Sequence, residues 1–370
     1  VYVDILIELG NRLSHDLTIP GVMQFLFLFI IVWVSWLENV LFERFFPNDD
    51  LGQRLLTFFY MALMGIMAFN IHDISGASAT AFLLAYAASK LVMALMYGKA
   101  LIQYPQYRRM TRIYIVMFLV AASAWFAIAI FAPTYFLLWA VVAGVGILAQ
   151  AILPLVQAKG KKWSFELPPT KMHYMRHRFG ELTIIVLGEF FIKVITSASD
   201  RDVYLVSMLY YVVLLSISTS LWWLYFDHQE HSTLEKRQSR MEIWVYIHYP
   251  LLAAITAYGV VGNKVIALMP GEALSDPKRW LFCTALAVAV ASTAVIEWAS
   301  REGDDAMSRR PQILFRCLGA LALLAVAILG GGLSVPLLVV IVAGIVIFLV
   351  GLDVSWRLLN PVLDSETNPI

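Results

Sequence analysis

The sequence is built from apolar runs of about 20 residues, separated by short polar or charged segments. A helix of about 20 apolar residues crosses the roughly 30 Å of hydrocarbon in a bilayer. Hydrophobic residues make up 60% of the 370 residues and charged residues 14%, against about 45–50% and about 25% in soluble domains. A soluble fold could not hide this much apolar surface, so the sequence predicts an all-α polytopic membrane protein in contact with the lipid bilayer.

Twelve runs are long enough to be interpreted as membrane spans. They cover residues 1–17, 21–45, 51–71, 78–98, 109–132, 135–156, 178–198, 203–226, 241–268, 278–299, 311–330 and 333–352. The breaks at Pro133 and at Gly330-Gly331-Gly332 predict tight turns between adjacent spans. The first run opens directly on Val1 and no signal peptide is visible, so we expect further residues upstream.

The distribution of Lys and Arg predicts the orientation of the spans. The loops after odd-numbered spans hold little basic charge beyond Arg201, Lys278 and Arg279. The loops after even-numbered spans hold most of it, including the cluster Lys159, Lys161, Lys162, Lys171, Arg176 and Arg178. Because basic loops stay in the cytoplasm, we expect both termini there.

The spans divide into two similar halves. Residues 5–11 can be aligned with residues 183–189, and Ser35-Trp36-Leu37 with Trp222-Trp223-Leu224. Six spans in each half give both halves the same orientation, as in transporters with parallel repeats. We therefore predict a first six-span repeat at 1–157, a cytoplasmic connector at 158–177 and a second repeat at 178–370. The alternative is a chance similarity between apolar segments.

Polar residues occur at matching depths in spans one and seven. Glu189 lies near the middle of span seven, where an ionisable group costs about 3 kcal/mol unless it is paired or neutral. Lys193 is four residues further, on the same helix face, and the aligned residues in span one are Asn11 and His15. Two interpretations stay open: a polar clamp between two helices, or a substrate- or proton-binding site between the halves.

Three further residues are candidates for the same site. Glu8 lies three residues before Asn11, on a neighbouring face of span one, and a desolvated carboxylate there could hold a proton at neutral pH. Glu38 lies in span two and could be an interfacial anchor or extend the site. His248 lies in span nine, where a hydrogen bond between helices and a proton relay are the alternatives.

The sequence gives little reason to expect a cofactor or a nucleic-acid partner. No Walker A motif, dinucleotide-binding loop or GxSxG elbow is present, and the net charge of +1 does not favour binding to phosphates. Only two cysteines occur, Cys283 and Cys317, so a thiolate zinc site is not expected. A metal site is a minor alternative at the helically spaced pairs His173, His177 and His228, His231.

One segment carries a family resemblance. Residues 173–189 run from His173 through Arg178-Phe179-Gly180-Glu181 and an aliphatic stretch to Leu187-Gly188-Glu189. This pattern resembles the signature of the bacterial low temperature requirement A family. Residues 9–17 and the Trp-rich second and eighth spans are also similar to that family.

The resemblance implies a polytopic protein of the bacterial plasma (inner) membrane that is linked by name to growth in the cold. It implies no substrate and assigns no roles to the signature residues His173, Arg178, Gly180, Glu181 and Gly188. The family's usual opening segment would fall upstream of Val1.

Intramembrane ionisable residues in duplicated helices favour a proton-coupled secondary transporter of an unknown small molecule or ion. In this hypothesis Glu189 titrates and Lys193 is its charge partner. An intramembrane enzyme or lipid-handling protein for cold adaptation is the alternative, as is a passive channel or scramblase. The sequence does not define the oligomeric state, and a homodimer is one option.

Overall fold

The computed structural model describes residues 2–74, 76–159, 169–199, 205–227, 238–268, 272–300 and 310–359. These residues are almost entirely α-helical. The helices are α1 (Tyr2–His15), α2 (Ile19–Phe45), α3 (Leu51–Asn70), α4 (Ser78–Gln103), α5 (Arg108–Phe131), α6 (Phe136–Lys159), α7 (Pro169–Ser199), α8 (Leu205–Phe226), α9 (Gln238–Ile266), α10 (Asp276–Ala299), α11 (Arg310–Leu329) and α12 (Val335–Leu359).

Nine helices in the described part of the chain are long and apolar enough to cross a membrane. They are α2 to α5 and α8 to α12, which confirms the polytopic α-helical class. The predicted turns are also present: α5 ends at Phe131 before Pro133, and Gly330–Gly332 forms a short 3-10 turn between α11 and α12. The count of twelve spans and the repeat stay predictions.

The chain forms two compact units. Unit 1 is Val1–Arg12 with Met23–Arg178, and unit 2 is Leu13–Val22 with Phe179–Ile370. In unit 1, α4 packs against α3 and α5, and α5 contacts α6. Helix α2 is buried at every position from 31 to 40, which is typical of a helix that is apolar all round. Its polar residues in that stretch are therefore inside the protein.

In unit 2, α10 packs against α8, α9 and α11, and α12 packs against α8 and α11. Helix α9 contains Pro250, but it continues to Ile266. Its residues 251–262 are buried without a break. Unit 2 is therefore also built around apolar helices that are enclosed by neighbouring helices.

Asp50 fixes the start of α3. Its carboxylate accepts a hydrogen bond from the Gln53 backbone N–H at 2.8 Å and one from Gln103 Nε2 of α4 at 3.0 Å. It also forms an ion pair with Lys99 of α4. Bonding by Lys99, and then by the Gln53 N–H, holds the pKa of Asp50 well below its usual value of 3.8. The first turn of α3 is thereby tied to the end of α4.

We expect Asp50→Asn to lower the melting temperature at pH 7 by about 2 °C, because the substitution removes the charge but keeps a capping oxygen. A lowered carboxyl pKa stabilises the fold above the unfolded-state pKa of about 4 and loses that effect as pH falls. The difference between wild type and Asp50→Asn should therefore shrink progressively below about pH 4, as the pH falls towards the lowered pKa of the folded protein. Thermal denaturation in detergent at pH 7 and at about pH 2 measures it, and a difference that is the same at both values would contradict the assignment.

Candidate functional site

A buried ion pair lies inside unit 1. Lys90 Nζ of α4 is 2.5 Å from Glu38 Oε2 of α2, and the side chains are 3% and 4% exposed. Both residues lie within apolar helices long enough to span a membrane. Removing two charges from water costs several kcal/mol per ion, and that cost is offset only when geometry and further hydrogen bonds are good.

Further polar groups complete the surroundings of this pair. Gln150 Nε2 of α6 donates to the other Glu38 oxygen at 2.5 Å. The Lys90 ammonium lies 4.4 Å from the centre of the Tyr86 ring, one helical turn before it, and 3.5 Å from Ser35 Oγ. Both carboxylate oxygens of Glu38 are therefore occupied, while Lys90 and Gln150 retain donor capacity.

The ion pair forms part of the wall of a cavity of about 350 Å³. The cavity lies among α2, α4, α5 and α6, and most of its wall is aliphatic or aromatic. Glu38, Lys90 and Gln150 are the cluster of hydrogen-bonding groups in that wall, with the Tyr86 ring beside them. A mostly apolar pocket with a few convergent polar groups is the usual form of a small-molecule site.

The cavity reaches the outer surface of unit 1 between α5 and α6. Val120 of α5 and Val141 and Val145 of α6 line it, and these side chains are 63%, 54% and 64% exposed. The cavity thus has an exposed apolar outer side and a charged pair in its interior.

The predicted residues of span one lie mostly at the surface. Asn11 and His15 are exposed and Glu8 is half-buried. Asn11 Nδ2 donates to Glu8 Oε1 at 3.4 Å. The structure therefore brings Asn11 together with Glu8, one helical turn before it.

Glu189 lies on α7 and is buried, with 6% exposure. Lys193 is also on α7, but its side chain lies outside the described part of the structure. The predicted Glu189–Lys193 pair stays a prediction.

His248 is completely buried in unit 2. Its Nδ1 lies 2.6 Å from the Trp244 carbonyl, and its Nε2 lies 3.0 Å from Tyr225 Oη of α8. A carbonyl only accepts, so Nδ1 carries the hydrogen and Nε2 of the neutral ring accepts from Tyr225. Each ring nitrogen takes part in a hydrogen bond, Nδ1 within α9 and Nε2 between α9 and α8. Both alternatives for His248 stay predictions.

Two residues of the signature segment pack α7 within unit 2. The Phe179 ring lies 4.5 Å from the His248 ring and 5.0 Å from Trp244. A Cβ added to Gly180 would lie 3.3 Å from Phe226 of α8. In the Arg178-Phe179-Gly180 segment, Phe179 therefore anchors α7 by aromatic contacts, and Gly180 lets the Phe226 ring of α8 lie close to the α7 backbone. Nothing lies within 4 Å of a Cβ added to Gly188.

We expect Gly180→Val to reduce the free energy of unfolding by about 1–3 kcal/mol, because its branched side chain must displace Phe226. Gly188→Ala is the matched control on the same helix. It should be neutral or stabilising by up to about 1 kcal/mol, since Ala favours helix over Gly. Equal destabilisation by the two substitutions, measured by denaturation in mixed micelles, would contradict the close approach at Gly180.

A second buried ionic cluster lies in unit 2. Arg316 of α11 donates from Nη2 to Asp353 Oδ2 of α12 at 2.7 Å, and its Nη1 lies 3.3 Å from Glu297 Oε2 of α10. Arg316 Nη1 also donates to the Leu224 carbonyl of α8 at 3.1 Å. All three charged side chains are at most 3% exposed. One guanidinium therefore connects α8, α10, α11 and α12.

The signature residues at the start of α7 lie at or near the surface. His173 and His177 are exposed, with ring centres 6.5 Å apart. Arg178 and Glu181 are half-buried. His228 and His231 lie outside the described residues. Within the described part, no three His, Cys, Asp or Glu side chains are placed to hold a metal ion.

Five residues of these two clusters were not predicted from the sequence: Lys90, Gln150, Arg316, Glu297 and Asp353. The signal available was an isolated ionisable residue inside an apolar run, as in Ala87-Ala88-Ser89-Lys90-Leu91. Such residues are expensive in a membrane unless they are paired. Matching the charged residues of different spans would have suggested Glu38 and Lys90 as partners. The two residues lie 52 positions apart in the chain, so no local spacing connects them.

Comparison with known families agrees with the signature segment. The family model described as Bacterial low temperature requirement A protein (LtrA) matches residues 1–351. No curated protein matches the chain. The match extends over nearly the whole sequence and includes both buried ionic clusters except Asp353. The chain therefore belongs to the bacterial low temperature requirement A family.

Proposed function

We propose that this protein is a proton-coupled secondary transporter of the bacterial plasma membrane, with both termini in the cytoplasm. The observation that supports it best is the Glu38–Lys90 pair in the wall of a cavity among apolar helices of unit 1. Ionisable groups inside a membrane protein typically mark substrate or proton pathways. This proposal places the transport site at the cavity.

Charge balance supplies a coupling mechanism. As long as Glu38 and Lys90 face each other, the pair is neutral. A substrate that takes Lys90 as its partner leaves Glu38 without a counter-ion, and a buried carboxylate without one takes up a proton. Substrate binding and proton transfer are then linked at one site.

Proteoliposomes with an imposed pH gradient test this function. A panel of labelled organic acids, amines and neutral solutes is offered, and accumulation is compared with that in protein-free liposomes. We expect at least one solute to accumulate against its own gradient and to leave when a protonophore is added. If solutes instead reach equal concentrations on both sides regardless of the pH gradient, the protein is a passive channel and the proposal is contradicted.

Glu189 is a second proposed titrating group, because it is buried within a helix of the signature segment. Glu189→Gln and Glu38→Gln in the same assay separate the two carboxylates. Loss of gradient-driven accumulation in Glu38→Gln alone would favour the cavity. Loss of gradient-driven accumulation in Glu189→Gln alone would identify Glu189 of α7 as the group that carries the proton.

A further inference from the structure

The cavity in unit 1 has features that select a class of ligand. Lys90 is the cationic group in its wall. Each oxygen of Glu38 accepts a hydrogen bond, one from Lys90 and one from Gln150. Lys90 has three N–H donors and Gln150 Nε2 has two, so donors remain for an incoming acceptor. An anionic group is the ligand that these donors favour.

The rest of the wall favours an apolar body on the same ligand. The side chains that complete the cavity include Phe118 and Trp125 of α5 together with aliphatic residues of α6. The opening between α5 and α6 is bounded by exposed valines. An amphipathic molecule dissolved in the bilayer could therefore enter from the side, with its polar group leading to Lys90.

We infer that the cavity binds a small organic anion with an apolar body, and that each anion is taken up together with one proton. The anion replaces Glu38 as the partner of the Lys90 ammonium. One proton from solvent then forms an O–H bond on a Glu38 carboxyl oxygen. The charge of the site is zero before binding, from one carboxylate and one ammonium, and zero afterwards, from one anion and one ammonium.

The groups around the pair fit this exchange. The titratable neighbours of Glu38 and Lys90 in the described structure are Tyr2, Tyr60, Tyr86 and Tyr97, whose hydroxyls are neutral near pH 7. Tyr60 donates its hydrogen to the Ser35 carbonyl at 2.7 Å. Lys90 is the cationic contact of Glu38 in the described structure, so an anion that engages Lys90 removes the counter-ion of Glu38.

This inference rests on the proposed transport function for its biological role, but binding can be measured without transport. The probes are 4-phenylbutyrate, 4-phenylbutanol and 4-phenylbutylammonium, which share one apolar body and differ in charge. Isothermal titration of the purified protein in nanodiscs, in two buffers with different heats of ionisation, gives both affinity and proton uptake. We expect the anion to bind about tenfold or more tightly than the alcohol, with about one proton taken up.

Substitutions of the ion pair separate the two parts of the inference. Glu38→Gln should bind the anion at least as tightly as wild type, because Lys90 no longer has a competing carboxylate. The contacts of the Lys90 ammonium with the Tyr86 ring and Ser35 Oγ remain, so Lys90 keeps its proton and no proton is taken up on binding. The charge-neutral double variant Glu38→Gln/Lys90→Met should bind the alcohol but lose the preference for the anion. This variant keeps the test valid if Lys90→Met alone fails to fold.

Two glycines of α6 provide a test of the location. Gly146 lines the cavity, and nothing lies within 4 Å of an added Cβ. Gly144 has the same free space but does not line the cavity. Gly146→Trp should abolish binding of 4-phenylbutyrate and 4-phenylbutanol, whereas Gly144→Trp should leave it unchanged.

Three results would overturn the inference: tightest binding of the ammonium probe, anion binding without proton uptake in wild type, or anion binding that survives Gly146→Trp. The outcome is separable from that of the transport assay. Binding as described, without gradient-driven flux, would contradict the proposed function and leave the ligand class standing. Gradient-driven flux of an amine would support transport and contradict the ligand class.

Discussion

We expect Lys90→Met to lower the free energy of unfolding by about 3–5 kcal/mol, because it leaves the Glu38 carboxylate buried without its counter-ion. The pair is 3–4% exposed, so Glu38 must either stay charged with little solvation or take up a proton, and both cost free energy at neutral pH. Tryptophan fluorescence during SDS denaturation in mixed micelles measures the change. Few single substitutions outside packing defects reach this size.

A double variant serves as the rescue control for the loss of stability in Lys90→Met. Adding Glu38→Gln to Lys90→Met removes the orphaned charge, and replacing a buried ion pair by neutral groups is often nearly neutral for stability. We therefore expect most of the lost stability to return in the double variant. A double variant as unstable as the sum of both single variants would show that Glu38 and Lys90 act independently, which contradicts their pairing.

Arg316→Met should be at least as damaging, with a loss of about 3–5 kcal/mol or failure to fold. The guanidinium has two carboxylate partners, Asp353 at 2.7 Å and Glu297 at 3.3 Å, and also donates to the Leu224 carbonyl. Its removal takes this cation away from two buried carboxylates and this donor away from one carbonyl. Folding yield by size-exclusion chromatography and SDS denaturation are the measurements.

The geometry of this cluster also predicts an order among the single carboxylate variants. Asp353→Asn should cost more than Glu297→Gln, since the Asp353 contact is a short hydrogen bond and the Glu297 contact is longer. Triple substitution of Arg316, Glu297 and Asp353 by neutral residues should recover stability relative to Arg316→Met. An equal cost for both carboxylate variants would contradict the order, and failure of the triple variant to recover stability would contradict the charge-based account.

The polytopic α-helical class could be predicted from the sequence because the length of a hydrophobic span follows from the thickness of the bilayer. The chain breaks at Pro133 and Gly330–Gly332 were located correctly, since these residues end helices for local reasons. Family membership followed from residues 173–189, and the structure gives two of these residues a packing role: Phe179 against Trp244 and His248, and Gly180 against Phe226.

The candidate site was harder to predict because its residues come from different helices. Glu38 was a candidate because of its place in span two, as an interfacial anchor or an extension of the site. Lys90 and Gln150 were not connected with it, since helix spacing only pairs residues within one helix. Helical spacing favoured two other pairs instead: Glu189 with Lys193, and Asn11 with His15. Asn11 and His15 are exposed. Which residues of two helices face each other depends on packing along the whole length of both helices. A single short motif does not encode that packing.

The most direct test of the central claim, that Glu38 carries the coupling proton, compares exchange with accumulation in Glu38→Gln proteoliposomes. For a solute that wild type accumulates, one proton per anion and a gradient of one pH unit should give about tenfold accumulation. Glu38→Gln should still exchange labelled for unlabelled solute across the membrane, while its accumulation ratio falls to about one. Accumulation that stays about tenfold in Glu38→Gln would contradict the account.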